Sequence, residues 1–239
     1  MNNDNNTIVA IVPAAGSGQR MQSTMPKQYI KIGHATILEH TLQKLLSIPQ
    51  ISQIIVAISS DDDYFSTLEI ASHPKIKTTI GGDTRAASVL AGLRLADETS
   101  WALVHDAARP CVCVSDIEML IKTVFDYQQG AILATKITDT IKKSISSTDC
   151  TPVQIEQTCD RRFLWAAATP QMFNVKDLTT CLIRAEQQHV ELTDEASAIE
   201  YGGGHPILVE CKRDNIKVTR LEDLPLATLY LQEQGYIQK

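Results

Sequence analysis

A short apolar strand that runs straight into a glycine-containing loop constrains this chain more than any other feature of its sequence. The strand reads Ile8-Val9-Ala10-Ile11-Val12, and the loop that follows reads Pro13-Ala14-Ala15-Gly16-Ser17-Gly18. Apolar, mostly β-branched residues predict a buried strand, and the two glycines let backbone N–H groups approach a ligand closely. Such a loop is suited to phosphate. The cationic residues Arg20 and Lys27 follow in the segment after this loop, where they would neutralise the negative charge of a polyphosphate.

Two well-known phosphate loops do not fit this sequence. A dinucleotide-binding fingerprint needs a third glycine where Met21 stands. A Walker A loop needs Gly-Lys-Ser or Gly-Lys-Thr after its spacer, but Gly18 is followed by Gln19-Arg20-Met21. An ordinary strand-to-helix turn and a phosphate loop of a different kind remain.

The composition narrows the class of protein. With 239 residues, of which 44% are hydrophobic and 21% charged, the chain can form one large core, and we expect a single domain over residues 1–239. A net charge of −6 argues against a nucleic-acid partner. No apolar run approaches the roughly 18 residues of a membrane span, so we expect no membrane partner. The six cysteines lack zinc-site spacing, which predicts free thiols in a reducing, cytoplasmic compartment.

Apolar strand patterns alternate with amphipathic helix patterns along the rest of the chain. The strands are predicted at 54–58, 75–80, 101–105, 131–135, 207–210 and 215–218. The helices are predicted at 36–47, from the turn at 81–85 to Leu95, from a capping box at 115–118, at 175–188, after Asp194 and from about residue 222. This alternation predicts an α/β fold of three layers around a mostly parallel sheet.

Residues 136–159 interrupt this alternation. Ile137, Ile141, Ile145 and Ile155 are spaced among serines and threonines, which predicts a β-hairpin that protrudes from the body as an arm. Because a lone hairpin is marginally stable in water, we expect it to be buried against the same hairpin of a second subunit in a homodimer.

The turn Gly81-Gly82-Asp83-Thr84-Arg85 is a candidate site for a planar ligand. By itself it is a generic strand-to-helix turn. In a functional interpretation, the glycine backbone and Asp83 face the edge of a base, and Ser88 lies one helical turn further on the same side.

Acidic residues provide two candidate metal sites. Asp106 follows the strand at 101–105, at the sheet edge where ligands of parallel sheets gather, and a carboxylate there is suited to Mg²⁺ on a triphosphate. The alternatives are a helix N-cap and a salt bridge to Arg109. The run Asp61-Asp62-Asp63 is better explained as the acidic start of a helix than as a metal site. His105 is interpreted as structural.

Taken together, these motifs resemble those of known enzymes. The loop from Pro13 to Met21, with Pro26-Lys27-Gln28, resembles the signature loop of nucleotidylyltransferases that join a nucleoside triphosphate to a sugar or polyol phosphate. From about Val9 to Ala227 the chain resembles one family of these enzymes, the 2-C-methyl-D-erythritol 4-phosphate cytidylyltransferases of the non-mevalonate isoprenoid pathway. The later stretches that carry this resemblance are Gly81-Gly82-Asp83-x-Arg85, His105-Asp106-Ala107-Ala108-Arg109-Pro110, Asp139-Thr140, Thr169-Pro170-Gln171, Thr193-Asp194-Glu195-Ala196 and Asp214-Asn215-Ile216-Lys217.

The resemblance implies a Rossmann-like nucleotidylyltransferase fold and a reaction in which CTP and 2-C-methyl-D-erythritol 4-phosphate give 4-diphosphocytidyl-2-C-methyl-D-erythritol and pyrophosphate. It implies Arg20 and Lys27 as stabilisers of the transition state and Asp106 as the ligand of Mg²⁺. The nucleotide-binding residues would be Ala14, Ala15, Gly16, Gly18, Gly82, Asp83 and Ser88. The residues that position the acceptor would be Arg161, Lys217, Asp214, Arg109, Thr140, Thr169 and Thr193, with Arg109 and Thr140 reaching across from a partner subunit.

This chain departs from the family's pattern at two loop positions. Gln19 stands where a second basic residue is common, and Ser17 where a larger residue is common. Two other functions are kept as alternatives: a cytidylyltransferase for another polyol phosphate, such as ribitol 5-phosphate, and a non-catalytic nucleotide-binding protein. The joint presence of Arg20, Lys27 and Asp106 favours an enzyme.

Overall fold

A computed structural model describes residues 7–16, 25–145 and 152–238. The strands are β1 (Ile8–Pro13), β2 (Lys31–Ile32), β3 (Ala35–Thr36), β4 (Ile51–Ile58), β5 (Ile76–Ile80), β6 (Trp101–Val104), β7 (Ala131–Lys136), β8 (Lys142–Ser144), β9 (Ile155–Thr158), β10 (Trp165–Asn174) and β11 (Ile207–Glu210). The α-helices are α1 (Ile37–Leu46), α2 (Arg85–Leu93), α3 (Val114–Tyr127), α4 (Val175–Gln187), α5 (Glu195–Tyr201) and α6 (Leu224–Glu233).

A seven-stranded sheet in the order β11-β7-β10-β6-β1-β4-β5 forms the middle layer. β1 pairs in parallel with β4 and β6, β4 with β5, and β11 with β7. Alternate residues of β1 point to opposite faces: Ala10 packs in one core with α1 and α3, and Ile11 packs in a second core with α2 and α4. The predicted three-layer α/β architecture with a mostly parallel sheet is therefore confirmed.

The long strand β10 is absent from the predicted set of strands. It runs antiparallel to both β6 and β7 and joins the two halves of the sheet. Its pairing with β7 is interrupted between Ala167 and Gln171, around Pro170, which has no N–H to donate to a ladder. Because a proline within an apolar run argues against a strand, the sequence pattern does not predict β10.

Helix starts follow the predictions at α1 but not at α3. The Thr36 hydroxyl accepts a hydrogen bond from the Glu39 N–H at 3.1 Å, and the Glu39 carboxylate accepts one from the Thr36 N–H at 2.8 Å, so this capping box is formed. The capping box predicted at 115–118 is wrong, because α3 already begins at Val114. The Asp116 carboxylate instead accepts the Lys212 N–H at 2.9 Å.

Two further predicted elements differ in the structure. The triple aspartate precedes a short 3₁₀ turn, Phe65–Thr67, rather than an α-helix, and Asp62 accepts the Phe65 N–H at 2.8 Å. The predicted strand at 215–218 is wrong: the segment carries no sheet pairing, and single contacts such as Val218 N–H to Ala108 O at 2.8 Å hold it in place.

The predicted arm is a two-stranded antiparallel sheet of β8 and β9, and its tip at 146–151 lies outside the described residues. The side chains of Ile145 and Ile155 are exposed on it. Cys111, Cys113, Cys159, Cys181 and Cys211 are free thiols. In the described ranges, no helix has the length and apolar content needed to cross a lipid bilayer.

Candidate active site

A cavity of about 440 Å³ opens at the carboxyl ends of four parallel strands. The loops after β1, β4, β5 and β6 supply most of its walls, which is where ligands of open parallel sheets bind. We call it the nucleotide cavity. Its lining includes Ala14, Ala15, Gly16, Lys27, Gln28, Ser59, Ser60, Gly82, Asp83, Arg85, Ser88, Asp106 and Lys217. Of the predicted nucleotide-binding and catalytic residues, Gly18 and Arg20 lie outside the described residues.

The glycine loop is tied to the turn that carries Lys27. The Gln28 amide donates hydrogen bonds to the carbonyl oxygens of Ala14 at 2.7 Å and Gly16 at 3.3 Å. The Lys27 ammonium donates to the Val218 carbonyl at 3.2 Å, beside Lys217. The first phosphate-loop segment, the Lys27 turn and the Lys217 segment are thereby connected around one cavity.

Backbone forms the wall of the cavity near Gly81 and Gly82. A Cβ atom added at Gly81 would lie 2.5 Å from the Cβ of Ala15, and one added at Gly82 would lie 2.5 Å from the Cβ of Ala87. Glycine at 81 therefore lets this turn pack closely on the loop after β1, and glycine at 82 lets it pack closely on the first turn of α2. The hydroxyl of Ser88 donates to the carbonyls of Gly82 and Thr84, so it braces this turn from the helix side.

Asp106 is surrounded by cations at the floor of the cavity. Its Oδ1 atom accepts from Arg85 Nε at 2.9 Å, and its Oδ2 atom lies 2.9 Å from Lys217 Nζ and 3.5 Å from Arg109 Nε. Burial acts to raise the pKa of Asp106, but the charges of Arg85 and Lys217 outweigh it and hold that pKa well below its usual range. The salt bridge to Arg109, one of the sequence-level alternatives, is thus present.

Arg85 and Glu195 were not among the residues predicted for the site. The Arg85 guanidinium spans from Asp106 to Glu195, whose carboxylate it contacts at 2.6 and 2.9 Å through both Nη atoms. Burial acts to lower the pKa of Arg85, and the Glu195 and Asp106 carboxylates raise it above its usual range. Both residues lie in motifs of the family resemblance, but no sequence spacing shows that the two motifs meet.

A chain of hydrogen bonds behind Asp106 determines which ring nitrogen of His105 carries the proton. Its Nε2 lies 3.2 Å from the Arg109 carbonyl, which can only accept, so Nε2 carries the proton. Its Nδ1 then accepts from the Thr169 hydroxyl at 3.0 Å, and that hydroxyl accepts the Asp106 N–H at 3.0 Å. Burial lowers the pKa of His105 to about 4. A neutral, fully bonded imidazole supports the structural interpretation of this residue.

A second cavity, of about 240 Å³, adjoins the first. We call it the acceptor cavity. It shares Arg85, Asp106 and Lys217 with the nucleotide cavity. Four of the predicted acceptor residues line it: Lys217 and, in addition, Arg109, Thr169 and Thr193. Arg109 lies in the cavity of its own chain, where its Nη1 donates to the Asn215 carbonyl at 2.7 Å.

The other predicted acceptor residues lie elsewhere in this chain. Arg161 is exposed and donates to the Thr138 carbonyl, and Thr140 is exposed near the base of the arm. The Asp214 carboxylate faces away from both cavities, accepting from the Gln234 amide at 2.9 Å and from the Cys113 thiol at 3.3 Å.

Asp83 and Asp106 are the carboxylates that line the nucleotide cavity. Over the described ranges, no three or more His, Cys, Asp or Glu side chains are grouped so as to hold a metal. The donor set therefore does not fit a resident metal held by protein alone. A Mg²⁺ ion at these carboxylates would need the phosphates of a substrate to supply most of its ligands.

Comparisons with known proteins identify the family of this chain. The sequence model of the IspD family, described as 2-C-methyl-D-erythritol 4-phosphate cytidylyltransferase, matches residues 8–233. The chain belongs to this family. A relative of that name from Tolumonas auensis is 51% identical over 95% of this chain and 98% of its own length, and one from Serratia proteamaculans is 49% identical over 95% and 94%.

Solved structures of the IspD family share the fold. The cytidylyltransferase of Francisella tularensis is 35% identical and superposes with a TM-score of 0.79, covering 94% of this chain and 100% of its own. A 4-diphosphocytidyl-2C-methyl-D-erythritol synthase from Anaerococcus prevotii is 29% identical, with a TM-score of 0.80 over 96% and 97% of the two chains. This member of the IspD family is accordingly a nucleotidyltransferase, as the motifs predict.

Proposed function

We propose that this chain transfers the cytidylyl group of CTP to 2-C-methyl-D-erythritol 4-phosphate and releases pyrophosphate in isoprenoid precursor biosynthesis. The observation that carries the proposal is the shared wall of the two cavities. Because Arg85, Asp106 and Lys217 line both of them, an acceptor phosphate in one cavity would face the α-phosphate of a nucleotide in the other. Attack then needs no covalent intermediate on the protein.

The nucleotide is assigned to the larger cavity. The backbone around Ala14, Ala15 and Gly16, with Gly18, would bind the triphosphate. Gly82, Asp83 and Ser88 would contact the edge of the base. Gly81 and Gly82 line this part of the cavity without side chains, which supports the edge of a flat ligand there. When bound, Mg²⁺ would neutralise triphosphate charge, and Asp106 is the residue proposed to hold it.

Charge dominates the barrier, since an anionic phosphate must approach a nucleotide that carries about four negative charges. Arg20 and Lys27 are proposed to stabilise the charge that develops at the α-phosphate. The acceptor phosphate nucleophile is already ionised near neutral pH, so no general base is required. This fits the bonding of His105, which leaves neither ring nitrogen available to take a proton.

Lys217, Arg109, Thr169 and Thr193 are proposed to line the acceptor site of the same chain. Arg161 and Thr140 are proposed to act on the site of a partner subunit, because both are exposed near the arm rather than in this chain's cavities. We therefore propose a homodimer joined through residues 136–159. The free thiols of the described cysteines support the cytoplasmic location predicted from sequence.

Pyrophosphate release from CTP, measured with a panel of polyol phosphates, tests this function. We expect turnover with 2-C-methyl-D-erythritol 4-phosphate and at most slow turnover with ribitol 5-phosphate. Lys217→Ala and Arg161→Ala should each lower kcat/KM for the acceptor by roughly 10- to 10³-fold, with CTP affinity by calorimetry within a few-fold of wild type. Faster turnover with ribitol 5-phosphate, or no turnover with any acceptor, would overturn the assignment.

A further inference from the structure

Arg85 is one of three side chains, with Asp106 and Lys217, that line both cavities. Its Nε donates to Asp106 at 2.9 Å, while its Nη1 and Nη2 donate to Glu195 at 2.6 and 2.9 Å. The guanidinium is mostly covered, with 27% of the side chain accessible, and the Glu195 side chain is buried. All three contacts use the planar fork, a geometry that lysine cannot reproduce.

Glu195 connects this guanidinium to a helix start beside the acceptor cavity, which the neighbouring Asp194 lines. It is the first residue of α5, whose N-cap is Asp194. The Gln171 side chain clamps the same helix start, donating to Asp194 at 2.8 Å and accepting the Ala196 N–H at 2.8 Å. Gln171 belongs to β10, next to β6, which ends just before Asp106. The carboxylate that holds Arg85 is therefore fixed to the central sheet.

The charges around Asp106 explain why such an anchor is needed. Arg85, Lys217 and Arg109 converge on one carboxylate, and the proposed substrates bring several negative charges to the same place. An unanchored arginine would be drawn from Asp106 toward a phosphate. The bidentate contact with buried Glu195 opposes this movement.

We propose that Arg85, anchored by Glu195, is a positioning residue that fixes Asp106 at the boundary between nucleotide and acceptor. This inference rests on the proposed function and deepens it. Arg85 acts through Asp106, and Glu195 acts through Arg85. Loss of either residue misplaces the reacting phosphates relative to each other, while the glycine loops that bind CTP are retained.

Two simpler roles make different predictions. If Arg85 bound substrate phosphate directly, neutralising Glu195 would free the guanidinium and leave turnover unchanged or faster. If the ion pair only stabilised the fold, its loss would lower the melting temperature and leave kcat of the folded enzyme unchanged.

The experiment compares Arg85→Lys, Glu195→Gln and the double variant in the full-length protein. The matched controls are Arg94→Lys and Glu200→Gln, which change exposed residues of the same two helices or their ends. Steady-state kinetics with CTP and methylerythritol phosphate give kcat and KM, calorimetry gives Kd for CTP, and thermal unfolding reports the folded fraction. Glu195→Asp, which keeps the charge but shortens the side chain, is the second variant if Glu195→Gln does not fold.

We expect each single variant to lower kcat about 10- to 100-fold, the size of loss that a misplacement of about 1 Å produces, with Kd for CTP within about three-fold of wild type. The double variant should be no worse than the poorer single variant by more than about three-fold, because both changes break one interaction. The controls should match wild type.

Three results would overturn the positioning role: wild-type kcat in Glu195→Gln or Glu195→Asp, losses that multiply in the double variant, or a melting shift without loss of kcat. Wild-type enzyme that releases no pyrophosphate would instead overturn the proposed function, and this inference with it.

Discussion

The side-chain amide of Gln28 donates a hydrogen bond to the carbonyl oxygen of Ala14 at 2.7 Å. This contact links the loop after β1 to the turn that presents Lys27, and a second bond to Gly16 extends it. Gln28 and Ala14 are both buried, so the bond to Ala14 is shielded from solvent.

Gln28→Ala should therefore loosen the phosphate loop. Leaving the buried Ala14 carbonyl oxygen without its donor costs about 1–3 kcal/mol, and we expect kcat/KM for CTP to fall roughly 10-fold with a smaller effect on the KM for the acceptor. Steady-state kinetics and urea unfolding check both numbers. An unchanged kcat/KM for CTP would show that the loop holds its shape without Gln28.

Lys27→Ala should lower kcat by about 10²-fold or more, roughly 3 kcal/mol, with a smaller change in the KM for CTP, if this ammonium acts mainly on transition-state charge. Exposed Lys77 on β5 provides the control substitution Lys77→Ala. A variant that raises only the KM for CTP would contradict the transition-state role.

Thr169→Val should affect the reaction without removing any charge. The hydroxyl joins the Asp106 N–H to His105 Nδ1, so valine leaves both buried groups unpaired. We expect a loss of about 1–3 kcal/mol in the free energy of unfolding and a roughly 10-fold lower kcat. Thr169→Ser keeps the hydroxyl and should stay near wild type in both measurements.

Lys44 should make stability depend on pH in a defined direction. Its side chain is buried in α1 against Gln234 and the Tyr236 ring, and burial lowers its pKa from 10.5 to about 8. Between these two values the unfolded chain binds a proton that the folded chain has lost, so this residue makes folding more favourable as pH rises through the window. Other groups titrate there as well, and the Lys44→Met variant isolates the contribution.

The stability of wild type relative to Lys44→Met should therefore increase by at most about 3 kcal/mol between pH 7 and pH 10. Urea unfolding of both proteins at each pH measures the difference. A constant difference across this range would mean that Lys44 titrates at its ordinary pKa.

The arm predicts the oligomeric state. Ile155 and Ile145 are exposed on a two-stranded sheet that has too little core of its own. We expect a dimer at micromolar concentration by light scattering, and Ile155→Asp should shift it toward monomer and lower acceptor turnover. Leu229→Asp, on the exposed side of α6, is the control. A fully active wild-type monomer would refute this assembly.

The sequence predicts the parts of this protein that depend on local pattern. The strand that begins at Ile8, the capping box at Thr36 and a pair of strands within residues 136–159 all follow from side-chain periodicity and short-range hydrogen bonding, and the structure bears them out. Asp116 shows where such reasoning fails, because its carboxylate accepts a hydrogen bond from the distant backbone N–H of Lys212. β10 is missed for a similar reason, since its pairing partners, not its own pattern, make it a strand.

The candidate site likewise contains residues that motifs identify and contacts that only the tertiary fold creates. Motifs identify Lys27, Asp106 and Lys217 as ligand-facing, and the structure brings all three to one cavity. The Arg85–Glu195 contact joins residues 110 positions apart, and no periodicity reports such a distance. The direction of the Asp214 side chain, toward Gln234, likewise depends on where α6 packs.

The insertion of β10 between β6 and β7 sets the order in which the chain can fold during synthesis. β1, β4, β5 and β6 all emerge before Ala107 and can pair at once, but the free edge of β6 has to wait for residues 165–174. At about 5–20 residues per second, the roughly 60 intervening residues keep that apolar edge open for about 3 to 12 seconds. An unpaired apolar edge is a template for pairing with other chains, so slow translation between β6 and β10 would favour aggregation of the nascent protein over completion of its sheet.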